Sequence, residues 1–165
     1  MNIRLRQILP GDNATLANII RNCFTELNAP TAGTVFEDPT TDDLHSFFGA
    51  KSSVLWVAEL DGKVSGCCGI FPTEGLPAGT GELVKFYLAP EARGKGIGKM
   101  LMDKTFESAR EMGYEKIYLE SLPEFTNALN LYVKNGFQPL REALGKSYHP
   151  GCNVWMIKDL RDSPQ

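Results

Sequence analysis

The feature that most constrains this chain is the stretch from Glu82 to Glu111, ELVKFYLAPEARGKGIGKMLMDKTFESARE, where an apolar run, a bare turn and a long amphipathic segment follow one another. Leu83 to Leu88 is mostly apolar and β-favouring, and Pro90, with no N–H to give to a ladder, ends it. Arg93-Gly94-Lys95-Gly96-Ile97-Gly98 follows, with glycine at alternate positions. Ile97, Leu101, Thr105, Ala109 and Met112 then recur at helical spacing and predict one buried face, and Gly113 stands where helices stop. A strand feeding a helix through so bare a turn leaves backbone N–H groups uncovered at the helix's positive end, beside Arg93, Lys95 and Lys99. That is a site for an anion, and a phosphate suits it best.

Two familiar phosphate loops are excluded by spacing. A Walker loop needs Gly, four residues and then Gly-Lys-Ser/Thr, but Gly98-Lys99 is followed by Met100 and position 93 is Arg. The dinucleotide pattern G-x-G-x-x-G meets Lys99 or Leu101 where its last glycine belongs. Nucleic acid is disfavoured as a partner, because the formal net charge is -3 and the pI about 5.4. No apolar run approaches the ~20 residues that span a bilayer, and the N-terminal MNIRLRQILPGDN has too short an apolar core for a signal peptide. A cytoplasmic protein with no membrane partner is expected. Cys23, Cys67, Cys68 and Cys152 lack C-x-x-C spacing and read as reduced, mostly buried residues; His149 and Cys152 lack a second pair for zinc, so no metal is expected.

The remaining segments extend the α/β pattern over one domain, 1–165, with 161–165 a polar, frayed tail. Ile3 to Ile8 predicts a half-exposed strand, and Leu16, Ile19, Ile20, Cys23, Phe24 and Leu27 predict a helix capped by Asp12 or Asn13. Asn28 to Thr40 is a long loop expected to wall a substrate site, before a short helix capped by Thr40 or Thr41 and ending at Gly49. Asp61-Gly62 joins Val54–Leu60 to Lys63–Phe71 as a hairpin. Lys116 to Ser121 predicts a strand that closes a right-handed parallel crossover around the central helix, with the phosphate turn at its carboxyl edge. A short helix capped by Thr126 or Asn127 carries Ala128, Leu131 and Tyr132. Phe137 to Ala143 and Asn153 to Leu160 are expected as last strands, joined by a loop with Gly145, Tyr148, His149, Pro150 and Gly151.

Arg93 to Gly98, read as R-x-x-G-x-G after Leu88-Ala89-Pro90, resembles the acetyl-CoA motif of the GNAT superfamily of N-acetyltransferases. Ala128, Leu131-Tyr132, Lys134 and Gly136-Phe137 are similar to the family's A-x-x-L-Y-x-K-x-G-F segment, and Ile3-Arg4 with Asp12 and the Asp61-Gly62 hairpin are typical of it. The resemblance implies a GNAT-like α/β fold, with a mixed, mostly antiparallel sheet, a parallel strand-helix-strand crossover and flanking helices. It implies acetyl-CoA as acyl donor, a small-molecule amine or a peptide as acceptor, and room for a homodimer. By that likeness the main chain of Phe86, Tyr87 and Leu88 pairs with the pantetheine arm, and Arg93, Gly94, Lys95, Gly96, Ile97 and Gly98 hold the pyrophosphate. In one departure, Phe125 stands where the family often has an asparagine for the pantetheine.

Amide formation from a thioester needs a neutral amine and a protonated leaving thiol. Stripping an alkyl ammonium of pKa ~10 costs about 4 kcal/mol at pH 7, so a base is useful. Tyr132 matches the family's residue for protonating the thiolate. Glu82, opening the central strand, is the preferred base, with Glu120 and His149 as the other candidates. With two histidines in the chain, direct transfer is favoured over an acyl-enzyme. The competing readings are a CoA-binding sensor without turnover and an acetyltransferase acting on a protein N-terminus or lysine.

Overall fold

The computed structural model describes residues 1–146 and 149–162. Near-continuous burial along the central strands makes a sheet covered on both faces. The strands are β1 (Ile3–Gln7), β2 (Val54–Leu60), β3 (Lys63–Phe71), β4 (Thr80–Leu88), β5 (Lys116–Ser121), β6 (Gln138–Leu140) and β7 (Val154–Asp159), and the helices α1 (Asn13–Glu26), α2 (Leu44–Phe47), α3 (Ile97–Glu111) and α4 (Thr126–Lys134). The strands form one sheet in the order β1-β2-β3-β4-β5-β7-β6, antiparallel except between β4 and β5.

Neighbouring residues serve opposite faces. Val57 and Cys67 belong to the core under α1 and α2, whereas Ala58 and Cys68 belong to the core under α3. In α3 the predicted face is buried at Ile97, Leu101, Thr105 and Ala109, but Met112 has left the helix and is 36% exposed. Leu101 is fully buried, and its truncation to alanine should cost about 2–5 kcal/mol.

The Asp61-Gly62 hairpin forms as expected, both residues having positive φ, +52° and +81°. The helix caps differ from expectation. Asp43 accepts from Ser46 N at the start of α2, while Thr41 is buried and its Oγ1 donates to Val35 O at 2.8 Å. Asp12 occupies the N-cap of α1 without bonding the helix. Its carboxylate instead takes the charged Arg6 guanidinium at 2.8 and 3.0 Å and the Leu9 N–H at 2.7 Å, which leaves neither oxygen for the helix. At α4 the N-cap is Phe125, and Thr126 Oγ1 turns back to Pro123 O. The strand expected from Phe137 to Ala143 shrinks to Gln138–Leu140: Phe137 is buried just before it, and 141–143 are exposed beyond its pairing with β7. Tyr148 and residues 163–165 of the expected tail lie outside the described residues. Among the described residues no helix is long and apolar enough to cross a membrane.

One detail positions the site. β4 and β5 are in register only over Thr80↔Lys116, Gly81↔Ile117 and Glu82↔Tyr118. Past Glu82, β4 keeps its partner β3 but no longer pairs with β5, so its backbone edge faces an opening.

Candidate active site

Two cavities meet along that opening. The outer groove, of about 540 Å³, is lined by Phe86 to Leu88, by Arg93, Gly94, Gly96, Gly98 and Lys99 of the turn, and by Glu124 to Ala128 and Leu131 around α4. A smaller pocket of about 50 Å³ lies deeper, where Glu82, Lys85, Glu120, Tyr132, His149 and Cys152 contribute polar atoms. Phe86, Tyr87, Phe125 and Ala128 line both.

The turn is built from backbone. Gly94 and Gly96 have φ of +73° and +80°, a region costly for other residues, and a Cβ at either would meet nothing within 4 Å. The first main-chain bond of α3 is Met100 N to Gly96 O at 3.1 Å, so the N–H groups of Ile97, Gly98 and Lys99 have no carbonyl of the helix to reach. Gly98 answers a packing need: a Cβ there would lie 3.3 Å from Phe86 Cζ and 3.4 Å from Leu131 Cδ2. Ile97 is fully buried and can offer only its main chain, and Lys95 is exposed outside the groove lining. The Arg93 guanidinium is already engaged: it donates to Leu88 O at 3.0 and 3.3 Å, pairs with the Glu26 carboxylate, and lies 3.6 Å from Cys23 Sγ. It ties the turn to the end of β4 and to α1. The side chains of β4 pack inward, Tyr87 against Phe24 and Phe125, and Phe86 5.9 Å from the Tyr132 ring.

Phe125 packs 5.0 Å from Phe24 at the junction of the cavities, and Asn127 lines the groove. Beside them Glu124 Oε1 is buried and, among the described residues, has no hydrogen-bond partner.

The inner pocket gathers ionisable groups from distant parts of the chain. Burial pushes Glu82 up to about 7, opposed by the Thr73 hydroxyl, which donates to Oε1 at 2.6 Å, and reinforced by Glu120. Glu120 Oε2 accepts the Tyr118 hydroxyl at 2.6 Å. Burial also drives the Tyr132 phenol well above its usual range, so it keeps its proton at neutral pH; among the described residues its hydroxyl makes no hydrogen bond. His149, one of the three candidate bases, has its Nε2 on Asp38 Oδ2 at 2.7 Å. Burial opposes ionisation of Asp38, but His149 and Thr40 prevail and hold its carboxyl below the usual carboxylate range. The 28–40 loop thus walls the pocket, through Val35 as lining and Asp38 as the partner of a lining histidine.

Lys85, Asp38 and Thr73 belong to the site although no motif marks them. Lys85 carried a signal, since a lysine within an otherwise apolar strand asks for a partner. Asp38 and Thr73 sit in loops, where nothing in the pattern distinguishes them. Among the described residues no group of three or more His, Cys, Asp or Glu is placed to hold a metal.

The profile of the acetyltransferase (GNAT) family matches residues 15–137. The chain belongs to that family. It is 37% identical over 158 residues to an uncharacterized N-acetyltransferase, YjgM, of Escherichia coli K12, covering 94% of each chain. Its fold matches a GNAT-family acetyltransferase of Staphylococcus aureus Mu50 with a TM-score of 0.84 at 20% identity, covering 97% of this chain and all of that one. It also matches the PaiA N-acetyltransferase of Thermoplasma acidophilum in complex with coenzyme A, with a TM-score of 0.72 at 20% identity, covering 96% and 99%. This GNAT protein is an N-acetyltransferase.

Proposed function

We propose that this N-acetyltransferase acetylates a small primary amine by direct attack, with Glu82 as the base and Tyr132 as the acid. The observation that carries the reading is that a carboxylate titrating near 7 and a protonated phenol line one small pocket, and that this pocket opens on the groove suited to coenzyme A.

In this reading the phosphates rest on the N–H groups of the glycine turn and α3, with Lys99 at the groove wall and Arg93 holding the turn in shape. The pantetheine arm runs along the unpaired edge of β4, past Phe86 to Leu88, and Glu124 Oε1 offers an acceptor to one of its amide N–H groups. The thioester then reaches the junction of the cavities. The amine enters as its ammonium and gives one proton to Glu82, directly or through water; its nitrogen then forms the new C–N bond as the C–S bond breaks, the CoA sulfur takes the Tyr132 proton, and the second proton shed by the nitrogen restores the phenol. A base near 7 is half ionised at neutral pH, which balances availability against strength.

A pocket of about 50 Å³ favours a small molecule over a folded protein surface as acceptor. The test is a panel of primary amines and lysine-containing peptides assayed for free thiol released from acetyl-CoA. Turnover with small amines is expected. Turnover confined to peptides would overturn the acceptor class, and tight CoA binding with no turnover at all would leave a CoA-binding module.

A further inference from the structure

Lys85 is an unusual place for an ammonium group. Its side chain is 1% exposed, and it stands where the β3–β4 ladder slips between Cys67 and Gly69, with a left-handed φ of +56°. Such a conformation is uncommon for a lysine and persists only where its surroundings enforce it. Leu83 and Phe86 pack on the α3 side of the sheet and Val84 and Tyr87 on the α1 side, so the alternation along β4 skips a residue at this bulge. Lys85 is thereby placed on the α1 side, 5.6 Å over the Phe47 ring, lining the same pocket as Glu82.

Its donors are not spent. Among the described residues the one carboxylate oxygen within 4 Å of Nζ is Asp38 Oδ2, at 3.9 Å, beyond hydrogen-bond distance. That carboxylate is committed elsewhere, Oδ2 to His149 Nε2 and Oδ1 to the N–H and hydroxyl of Thr40 at 2.9 and 2.7 Å. Glu82 Oε1 takes the Thr73 hydroxyl and Glu120 Oε2 the Tyr118 hydroxyl. The pocket therefore holds a buried cation offering N–H donors, three residues along one strand from a carboxylate able to receive an ammonium.

Resting on the small-amine reading above, we propose that the acceptor is a small amino acid bound as its zwitterion, its carboxylate on Lys85 Nζ and its amino group turned to Glu82. A zwitterion brings no net charge into a pocket that carries both signs. An amine without the carboxylate leaves the Lys85 donors unanswered, and a site built around buried donors rejects the ligand that lacks the matching acceptor. The pocket volume of about 50 Å³ restricts the side chain to a short one. The product is the N-acetyl amino acid: the C–N bond forms as the C–S bond breaks, one ammonium proton goes to Glu82, and a proton ends on the CoA thiol.

The experiment compares kcat/KM for matched pairs, alanine against ethylamine and glycine against methylamine, in the wild type and in Lys85→Met, which keeps the length and removes the charge. The wild type should favour the amino acid by about ten- to a hundredfold, the ordinary worth of a charge-assisted hydrogen bond, and Lys85→Met should bring the ratio to within about twofold of one. A wild type that prefers the plain amines, or a variant that keeps the preference, overturns the proposal while leaving the small-amine reading intact. If neither set is acetylated, the small-amine reading fails by itself, and calorimetric titration of alanine into the CoA-loaded protein decides the rest. Alanine binding lost in Lys85→Met sustains the Lys85 site, and no binding to the wild type ends it.

Discussion

The outer groove and the inner pocket share one strand but are made of different material. The groove is a main-chain construction: two left-handed glycines, a helix start and a released strand edge. The pocket is a side-chain construction, with Glu82, Lys85, Asp38 and Tyr132 brought from β4, the 28–40 loop and α4 and removed from water. A backbone site tolerates exchange of its exposed side chains and fails when bulk is added. A buried side-chain site fails when one atom is removed, because each polar group there depends on the next.

Tyr132→Phe should show the largest effect. It removes one oxygen and keeps the ring that packs 5.9 Å from Phe86 and 5.6 Å from Phe137. Turnover should fall by ~10²–10⁴-fold with CoA affinity nearly unchanged, as for loss of a positioned acid. Steady-state kinetics beside calorimetry of CoA binding separate the two quantities. Wild-type turnover in the variant would return Tyr132 to the core and dissolve the contrast.

Next in size is the pair of glutamine variants at positions 82 and 120. A base near 7 makes the rate rise with pH to a plateau above about 7; without it the plateau moves towards the amine's own pKa of ~10. Glu82→Gln should lose about 10²-fold at pH 7 and recover much of it in alkaline buffer. Glu120→Gln should keep the wild-type profile shape, with a modest loss as Glu82 becomes easier to ionise. The reverse pattern in the two pH–rate profiles would exchange their roles.

For the groove, Gly96→Asp adds a negative side chain where the turn is open. Aspartate is among the few residues tolerated at φ +80°, so the fold should lose only about 1 kcal/mol. CoA should bind at least about tenfold more weakly, since a like charge would oppose the phosphates. Lys95→Ala, whose side chain lies exposed outside the groove, should bind within about twofold of wild type. Equal affinity of Gly96→Asp and wild type by calorimetry would detach the turn from the cofactor.

The same difference in material explains what the sequence disclosed. The turn, the crossover and the hairpin were legible because glycine, proline and helical periodicity encode backbone geometry locally. Tyr132, Glu82 and Glu120 could be named from the family segment or from strand ends, but their environments could not, because burial depends on which elements pack over them. Asp38 and Lys85 are 47 positions apart in sequence and meet only through the bulge at Lys85 and the loop that crosses it. Arg93 was legible as a member of the turn but not as its brace, since Glu26 and Cys23 belong to another helix. The caps failed for a related reason: Asp12 met a guanidinium that no local pattern announces.

The smallest effect concerns stability and runs opposite to activity. Glu82 titrates at about 7 in the folded protein against 4.5 when unperturbed, so between these values the folded state holds a proton that the unfolded chain has released. Stability from this group is fully present below about 4.5 and is lost as pH rises through about 7. Above that, the buried carboxylate is a burden on the fold, which Glu82→Gln removes while its amide oxygen can still accept the Thr73 hydroxyl now bound at 2.6 Å. The variant should therefore be more stable than wild type at pH 8 by on the order of 2 kcal/mol, or about 5 °C in Tm, and indistinguishable from it near pH 4. Thermal melts of both proteins at the two pH values measure this. A variant less stable than wild type at pH 8 would mean that the ionised carboxylate is welcome in its pocket, and the pocket would then lose the strained base that sets it apart from the groove.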